Sequence, residues 1–193
     1  MAHTIHCSLV VFSLDHGELS LYVVDNRLPS RPLHHGENLD DALTTLLSET
    51  IGQKPNMYAE QLYTTSDPVE KGSIVVVYMA LVSESALPLR AIAHMQSSFL
   101  ERDILAYALQ RLRWKIEYTN AVYALLPQVF TLTELQRTYE AILGRRLDKR
   151  NFRKKILSLG MLKSTGKKRK LGVTRPAETY TFRTRTLRYL DVI

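Results

Sequence analysis

The spacing of apolar residues changes several times along this chain, and each change marks a new element. TIHCSLVVF and ELSLYVV are rich in Val, Leu and aromatic residues and flank the turn chemistry of DHG, so they predict a pair of strands. The next passage, DNRLPSRPLHHGE, is polar and broken by two prolines. In NLDDALTTLLSETIG the period becomes helical: Leu39, Leu43, Leu46, Leu47 and Ile51 share a face, Asn38 suits the N-cap and Gly52 the stop. EQLYTT and SIVVVYMALVS are further strands. The second is so continuously apolar that it belongs at the centre of a sheet. This part of the chain therefore predicts a mixed α/β sheet domain.

The helical period returns in LERDILAYALQRLRWKIEYTNAVYALL. Ile104, Leu105, Ala108, Leu112 and Ile116 keep one stripe, which resumes at Val122 and Leu125 after a break near Thr119-Asn120. Trp114 and the tyrosines along it read as helical core rather than base-stacking platforms. FTLTELQRTYEAILG carries a full start signal. Thr131 and Glu134 have capping-box spacing, and Phe130 and Leu135 fit the hydrophobic staple around it. Leu132, Leu135, Tyr139 and Ile142 form its buried face, and Gly144 stands where a left-handed C′ residue belongs. After a short turn Asp148 can cap a second helix, with Phe152, Ile156 and Leu159 inward and Gly160 at its end. Two helices joined by a tight Gly-containing turn make a helix-turn-helix. MLKST follows as a short strand, GKKRKLGVTRPA as a basic connection and ETYTFR as the returning strand, which together predict a winged helix.

Charge sharpens the division. The net charge is +7, but residues 1–100 hold 5 Lys/Arg against 11 Asp/Glu, whereas residues 101–193 hold 21 against 8. Opposite signs in the two halves predict two domains, 1–100 and 101–193, with different partners. The basic half calls for a polyanion. Hydrophobic residues make up 45% of the chain, enough for packed cores. No apolar run is long enough to span a bilayer, and MAHTIHCSLVVF lacks the features of a signal peptide. The one cysteine, Cys7, sits in a strand pattern and reads as a buried thiol of a cytoplasmic protein.

The residues able to touch DNA follow from the winged helix. Recognition helices present their first turns to the major groove, where Arg reads guanine and Asn reads adenine. Lys149, Arg150, Asn151, Arg153 and Lys154 have that placement and chemistry. Thr131 and Thr133, at the start of the preceding helix, join them. In the wing, Lys167, Lys168, Arg169, Lys170 and Arg175 are placed to follow phosphates or enter a minor groove.

Enzyme chemistry has little support. His34 and His35 are adjacent and make a poor metal pair, and His3 and His6 cannot share a strand face. No Gly-rich phosphate loop or nucleophile elbow is present. No metal, cofactor or catalytic residue is expected.

Two stretches resemble known patterns. Glu37, the helix after it and Gly52 resemble the Nudix box, whose Glu-to-Gly interval they keep. In that register the motif's first Gly falls on Arg31, its Arg on Thr45, the next Glu on Leu46, and the following Glu pair on Glu49 and Thr50. Nudix hydrolysis needs several carboxylates on one helix face to hold divalent metal against a diphosphate, and here Glu49 alone remains on the helix. A Nudix-type hydrolase of ADP-ribose or a nucleotide, with an appended nucleic-acid module, is thus the alternative reading. Arg113-Trp114-Lys115, Phe130-Thr131-Leu132 with Glu134-Leu135-Gln136, and Leu147 through Arg153 resemble the signature of bacterial Nudix-related transcriptional regulators. That resemblance implies an α+β chain with an N-terminal Nudix-like sensor and a C-terminal winged helix-turn-helix. It implies a homodimeric repressor on a palindromic double-stranded operator. It also implies release by a small-molecule effector, ADP-ribose or a related metabolite, or a sugar.

Overall fold

The computed structural model describes residues 4–52, 56–67, 70–83, 89–91, 99–170, 176–190 and 192. Its N-terminal half is built on two strands buried on both faces. β1 (Thr4–Asp15) and β5 (Ser73–Leu81) run parallel at the middle of a sheet ordered β4-β5-β1-β2-β6. Burial on both faces explains their unbroken apolar sequences. Cys7, Leu9 and Val11 point to the face covered by α1 (Leu39–Ile51), while Val10, Phe12 and Leu14 point to the other. Cys7 is a fully buried free thiol whose pKa burial pushes up, which keeps it protonated and inert.

β2 (Glu18–Tyr22) returns from β1 through His16-Gly17, both at positive φ, as a two-residue primed hairpin turn requires. β4 (Tyr58–Ser66) pairs antiparallel with β5 and covers the stretch expected as a strand. Asn38 caps α1 by accepting the Asp41 N–H, and Gly52 ends it at φ +67. Two short strands go beyond the sequence reading. β3 (Ser30–Pro32) lies inside the polar, proline-broken passage and pairs with β1; β6 (Leu89–Ala91) pairs with β2.

α2 (Phe99–Tyr118) lies against the sheet face opposite α1. It stops at the expected break. Thr119 Oγ1 donates to the Lys115 carbonyl at 2.6 Å, and Asn120 pairs with the chain near Arg188 through backbone and side chain. A 3-10 helix, Ala121–Leu125, follows. Trp114 and Tyr107 correct the expectation of core aromatics. They stand 47% and 41% exposed, because the sheet takes the stripe containing Ile104, Leu112 and Ile116 and leaves their face outside.

The C-terminal half is β7 (Phe130–Thr131), α3 (Leu132–Leu143), α4 (Lys149–Ser158), β8 (Leu162–Arg169) and β9 (Ala177–Phe182). The strands form a three-stranded sheet ordered β7-β9-β8. The basic connection expected after MLKST is partly strand. Gly166, at φ +71, sits in an irregular step between Ser164 and Lys168, and β8 continues to Arg169. One apolar cluster runs from Val10 and Phe12 through Ile104 and Ile116 to Leu135, Phe152 and Ile156, so the two halves share a core.

Candidate nucleic-acid interface

The winged helix is assembled by side chains that satisfy orphan backbone groups. Thr131 and Glu134 form the capping box at the head of α3: the Glu134 N–H donates to Thr131 Oγ1 at 3.2 Å, and the Thr131 N–H donates to Glu134 Oε2 at 2.7 Å. Phe130 and Leu135, both fully buried, staple the entry of the chain. At the other end Gly144 adopts the left-handed C-cap, and Arg113 Nε donates to the Ile142 carbonyl at 3.0 Å, tying α2 to α3.

The turn into α4 is fixed by one carboxylate. Glu140 accepts from the Leu147 N–H at 2.8 Å and from Gln136 at 3.1 Å, with Arg146 at 3.4 Å. The Leu147 N–H contributes most to holding its carboxyl below the usual range. Asp148 then caps α4 by accepting the Asn151 N–H at 2.8 Å. Phe152 and Ile156 are buried, and Phe152 packs edge-on to Tyr139 with ring centroids 5.4 Å apart. That anchored face leaves Lys149, Arg150, Asn151 and Lys154 exposed near the helix start.

Three elements converge at the head of α3. Arg153 Nη2 of α4 reaches Thr133 Oγ1 at 3.4 Å. Arg169 of β8 bonds Glu134, the carboxylate of the capping box. Beyond this junction the wing is stitched internally. Thr165 Oγ1 lies 2.5 Å from Thr179 Oγ1, and Thr179 Oγ1 donates to the Lys167 carbonyl at 3.0 Å. Lys167, Lys168 and Lys170 remain exposed.

The expected contacts therefore separate. Thr131 is corrected: it is fully buried and its hydroxyl serves the capping box, so its side chain cannot reach DNA. Arg169 is likewise engaged within the protein, and Arg153 and Thr133 are partly buried against one another. Arg175 lies outside the described residues. Arg185 was missed. Its guanidinium donates to the Tyr123 and Leu126 carbonyls, both at 3.0 Å, and also bonds the Pro127 carbonyl, closing the end of the 3-10 helix. No motif announces such a role, because its acceptors are backbone carbonyls roughly 60 residues away in sequence.

In the sheet half, Glu37 is paired with Arg31 at 2.7 Å and also accepts the His34 N–H at 3.0 Å. Both interactions, Arg31 foremost, lower its carboxyl pKa. Leu46, at the position of a motif glutamate, is buried under the sheet, and Glu49 is exposed. Among the described residues no group of three or more His, Cys, Asp or Glu is placed to hold a metal ion. No described helix is long and apolar enough to cross a membrane.

A Nudix-like sheet domain joined to a basic winged helix defines a class: DNA-binding transcriptional regulators with a Nudix-like sensor. The comparisons agree. Residues 122–182 match the family described as the NrtR DNA-binding winged helix domain. The chain is 30% identical to the ADPR responsive transcriptional repressor NtrR of Acinetobacter baylyi, over 90% of this chain and 80% of that one. Shewanella oneidensis NrtR, solved in complex with a 27mer DNA, superposes with a TM-score of 0.79 at 26% identity over 93% of each chain. A MutT/nudix family protein from Enterococcus faecalis shares the fold, with a TM-score of 0.72 at 17% identity over 95% of this chain and 87% of that one. The chain belongs to the NrtR family of transcriptional repressors.

Proposed function

We propose that this repressor binds a palindromic operator as a homodimer and releases it when a metabolite occupies the Nudix-like half. Residues 1–100 serve as sensor and dimerisation unit and residues 101–193 as the DNA-binding unit, with α2 packed between them. The observation that carries the DNA reading is the junction at the head of α3. Arg153–Thr133 and Arg169–Glu134 draw α4 and the wing root onto one point. The exposed cations Lys149, Arg150, Lys154, Lys167, Lys168 and Lys170 are left for phosphates and base edges. The relative's name makes ADP-ribose the first effector to try.

The sensor is not a hydrolase in this reading. Arg31 already neutralises Glu37, and Leu46 replaces a carboxylate with packed core, so divalent metals and a diphosphate lack their counter-charges. In this reading the regulator works in the cytoplasm, where it meets its DNA directly.

Competition on the full chain tests the proposal. Unlabelled duplex DNA should displace a labelled duplex, while single-stranded RNA of matched length should not. Equal displacement by both would favour a general polyanion binder. In the same preparation, cleavage of ADP-ribose to AMP and ribose 5-phosphate with magnesium should be absent; cleavage that Glu37→Gln and Glu49→Gln abolish would restore the hydrolase reading.

A further inference from the structure

The β1–β2 hairpin of the sheet half reaches the winged helix, where β2 and α3 are in contact. Beside that contact lies an open cleft of about 520 Å³. The hairpin tip, His16, Gly17 and Glu18, forms one side of it. Arg137 and Glu140 of α3, with Arg145 and Arg146 of the following turn, form the other. Among the described lining residues Ala141 alone brings an apolar side chain. Small-molecule sites are lined mainly by apolar groups, and this cleft offers a base or a sugar ring little to pack on.

Three guanidinium groups there face two carboxylates, Glu18 and Glu140. Glu140 is already engaged by the Leu147 N–H at 2.8 Å and by Gln136 at 3.1 Å. Arg146 reaches it only at 3.4 Å and is 92% exposed, so it is loosely held. Arg137 and Arg145 are exposed and make no hydrogen bond or ion pair among the described residues. The C-terminus of α3 does not require them, because Arg113 donates to the Ile142 carbonyl there. Arg113 Nη2 stands 3.6 Å from where a Cβ on Gly144 would sit, so a fourth guanidinium borders the cleft.

We propose that this cleft grips a backbone phosphate of the DNA just outside the groove that α4 enters, with the sensor hairpin as one wall of the grip. The inference rests on the reading of α4 and the wing as the DNA-binding surface. Arg145 and Arg146 lie on the turn that leads directly into Lys149 and Arg150, so exposed positive charge continues from the start of α4 to the cleft. Phosphates of one strand follow one another every ~3.4 Å along the duplex axis, so a strand bordering α4 carries its next phosphates past the turn. A guanidinium meets a phosphate with two parallel hydrogen bonds. Glu18, whose carboxylate has no partner among the described residues, comes from the sensor. Its charge opposes the phosphate, so the placement of the hairpin over α3 sets how strongly the arginines hold DNA.

Anisotropy titrations of the full chain over a range of salt test this, on a duplex that the chain selects from a randomised pool. The Arg137→Gln/Arg145→Gln double variant should lower the slope of affinity against salt by about one to two units, and Arg137→Lys/Arg145→Lys should retain it. Lys71→Gln, at an exposed cation between β4 and β5, should leave the slope unchanged. Glu18→Gln should tighten binding severalfold at low salt, a gain that added salt screens away. An unchanged slope in the double variant overturns the proposal, as does an equal fall with Lys71→Gln, which would mean that net charge alone is felt. Unchanged affinity with Glu18→Gln overturns the part given to the sensor hairpin. If Lys168→Ala lowers the slope and the double variant does not, the cleft fails while the winged-helix reading stands; if the chain selects no duplex, both fail.

Discussion

Arg150 and Lys168 carry the same charge, but the proposed function gives them different tasks. Arg150 is exposed in the first turn of α4, where a planar guanidinium could read a guanine; Lys168 is exposed on the wing strand, where an ammonium could meet phosphate. Arg150→Ala should weaken specific binding by about 1–3 kcal/mol and relax the preference at one base position. Lys168→Ala should weaken binding to every duplex alike and lower the slope of affinity against salt by about one unit. Anisotropy titrations over a range of salt check both; uniform weakening with Arg150→Ala would make it a phosphate contact. Residue type and helical phase made these candidates legible in the sequence. Thr131 shows the limit: the capping box was readable, but its complete enclosure depends on packing around Phe130 and Leu135 that no local pattern reports.

The wing and the helix-turn-helix hold their relation through a few polar contacts. Arg169 is a positioning residue in this view, since its guanidinium bonds Glu134. Arg169→Gln should reduce operator affinity while leaving the salt slope unchanged, because no phosphate contact is lost. A slope that falls as it does for Lys168→Ala would show that Arg169 leaves Glu134 to meet DNA. The α3–α4 turn depends on Glu140 in the same way. Its carboxyl has a lowered pKa when folded, so its stabilising contribution is present above the ordinary glutamate value of about 4.3 and is lost as pH falls through the depressed value. Glu140→Gln should therefore melt below the native protein at pH 7, with the gap closing on acidification; a gap that is constant with pH would contradict this account. Long periodic elements such as α1, α3 and β5 were legible from sequence because their own burial writes their pattern. β3 and β6 were not, being three residues each and owing their extended form to β1 and β2.

At the scale of the whole molecule, α2 fastens the sensor to the reader. Lys115, 4% exposed, lies 2.6 Å from Glu60 of β4, and Arg111 lies 3.5 Å from the other carboxylate oxygen. Glu60→Gln would strand a buried ammonium and should cost about 3–5 kcal/mol in urea unfolding. Lys115→Met should cost less, since Glu60 keeps Arg111. No effect of either change would mean that apolar packing alone joins the halves, and equal losses would mean that Arg111 does not serve Glu60 in place of Lys115. The charge asymmetry of the sequence marks an acidic and a basic half, but gives no sign of the apolar cluster that runs through both.

The central claim is that α4 and the wing together read double-stranded DNA. Selection of duplexes from a randomised pool by the full chain tests it most directly. The account predicts enrichment of paired, inverted half-sites centred about 34 Å apart, or one helical turn. A retained pool that stays random in sequence would contradict it.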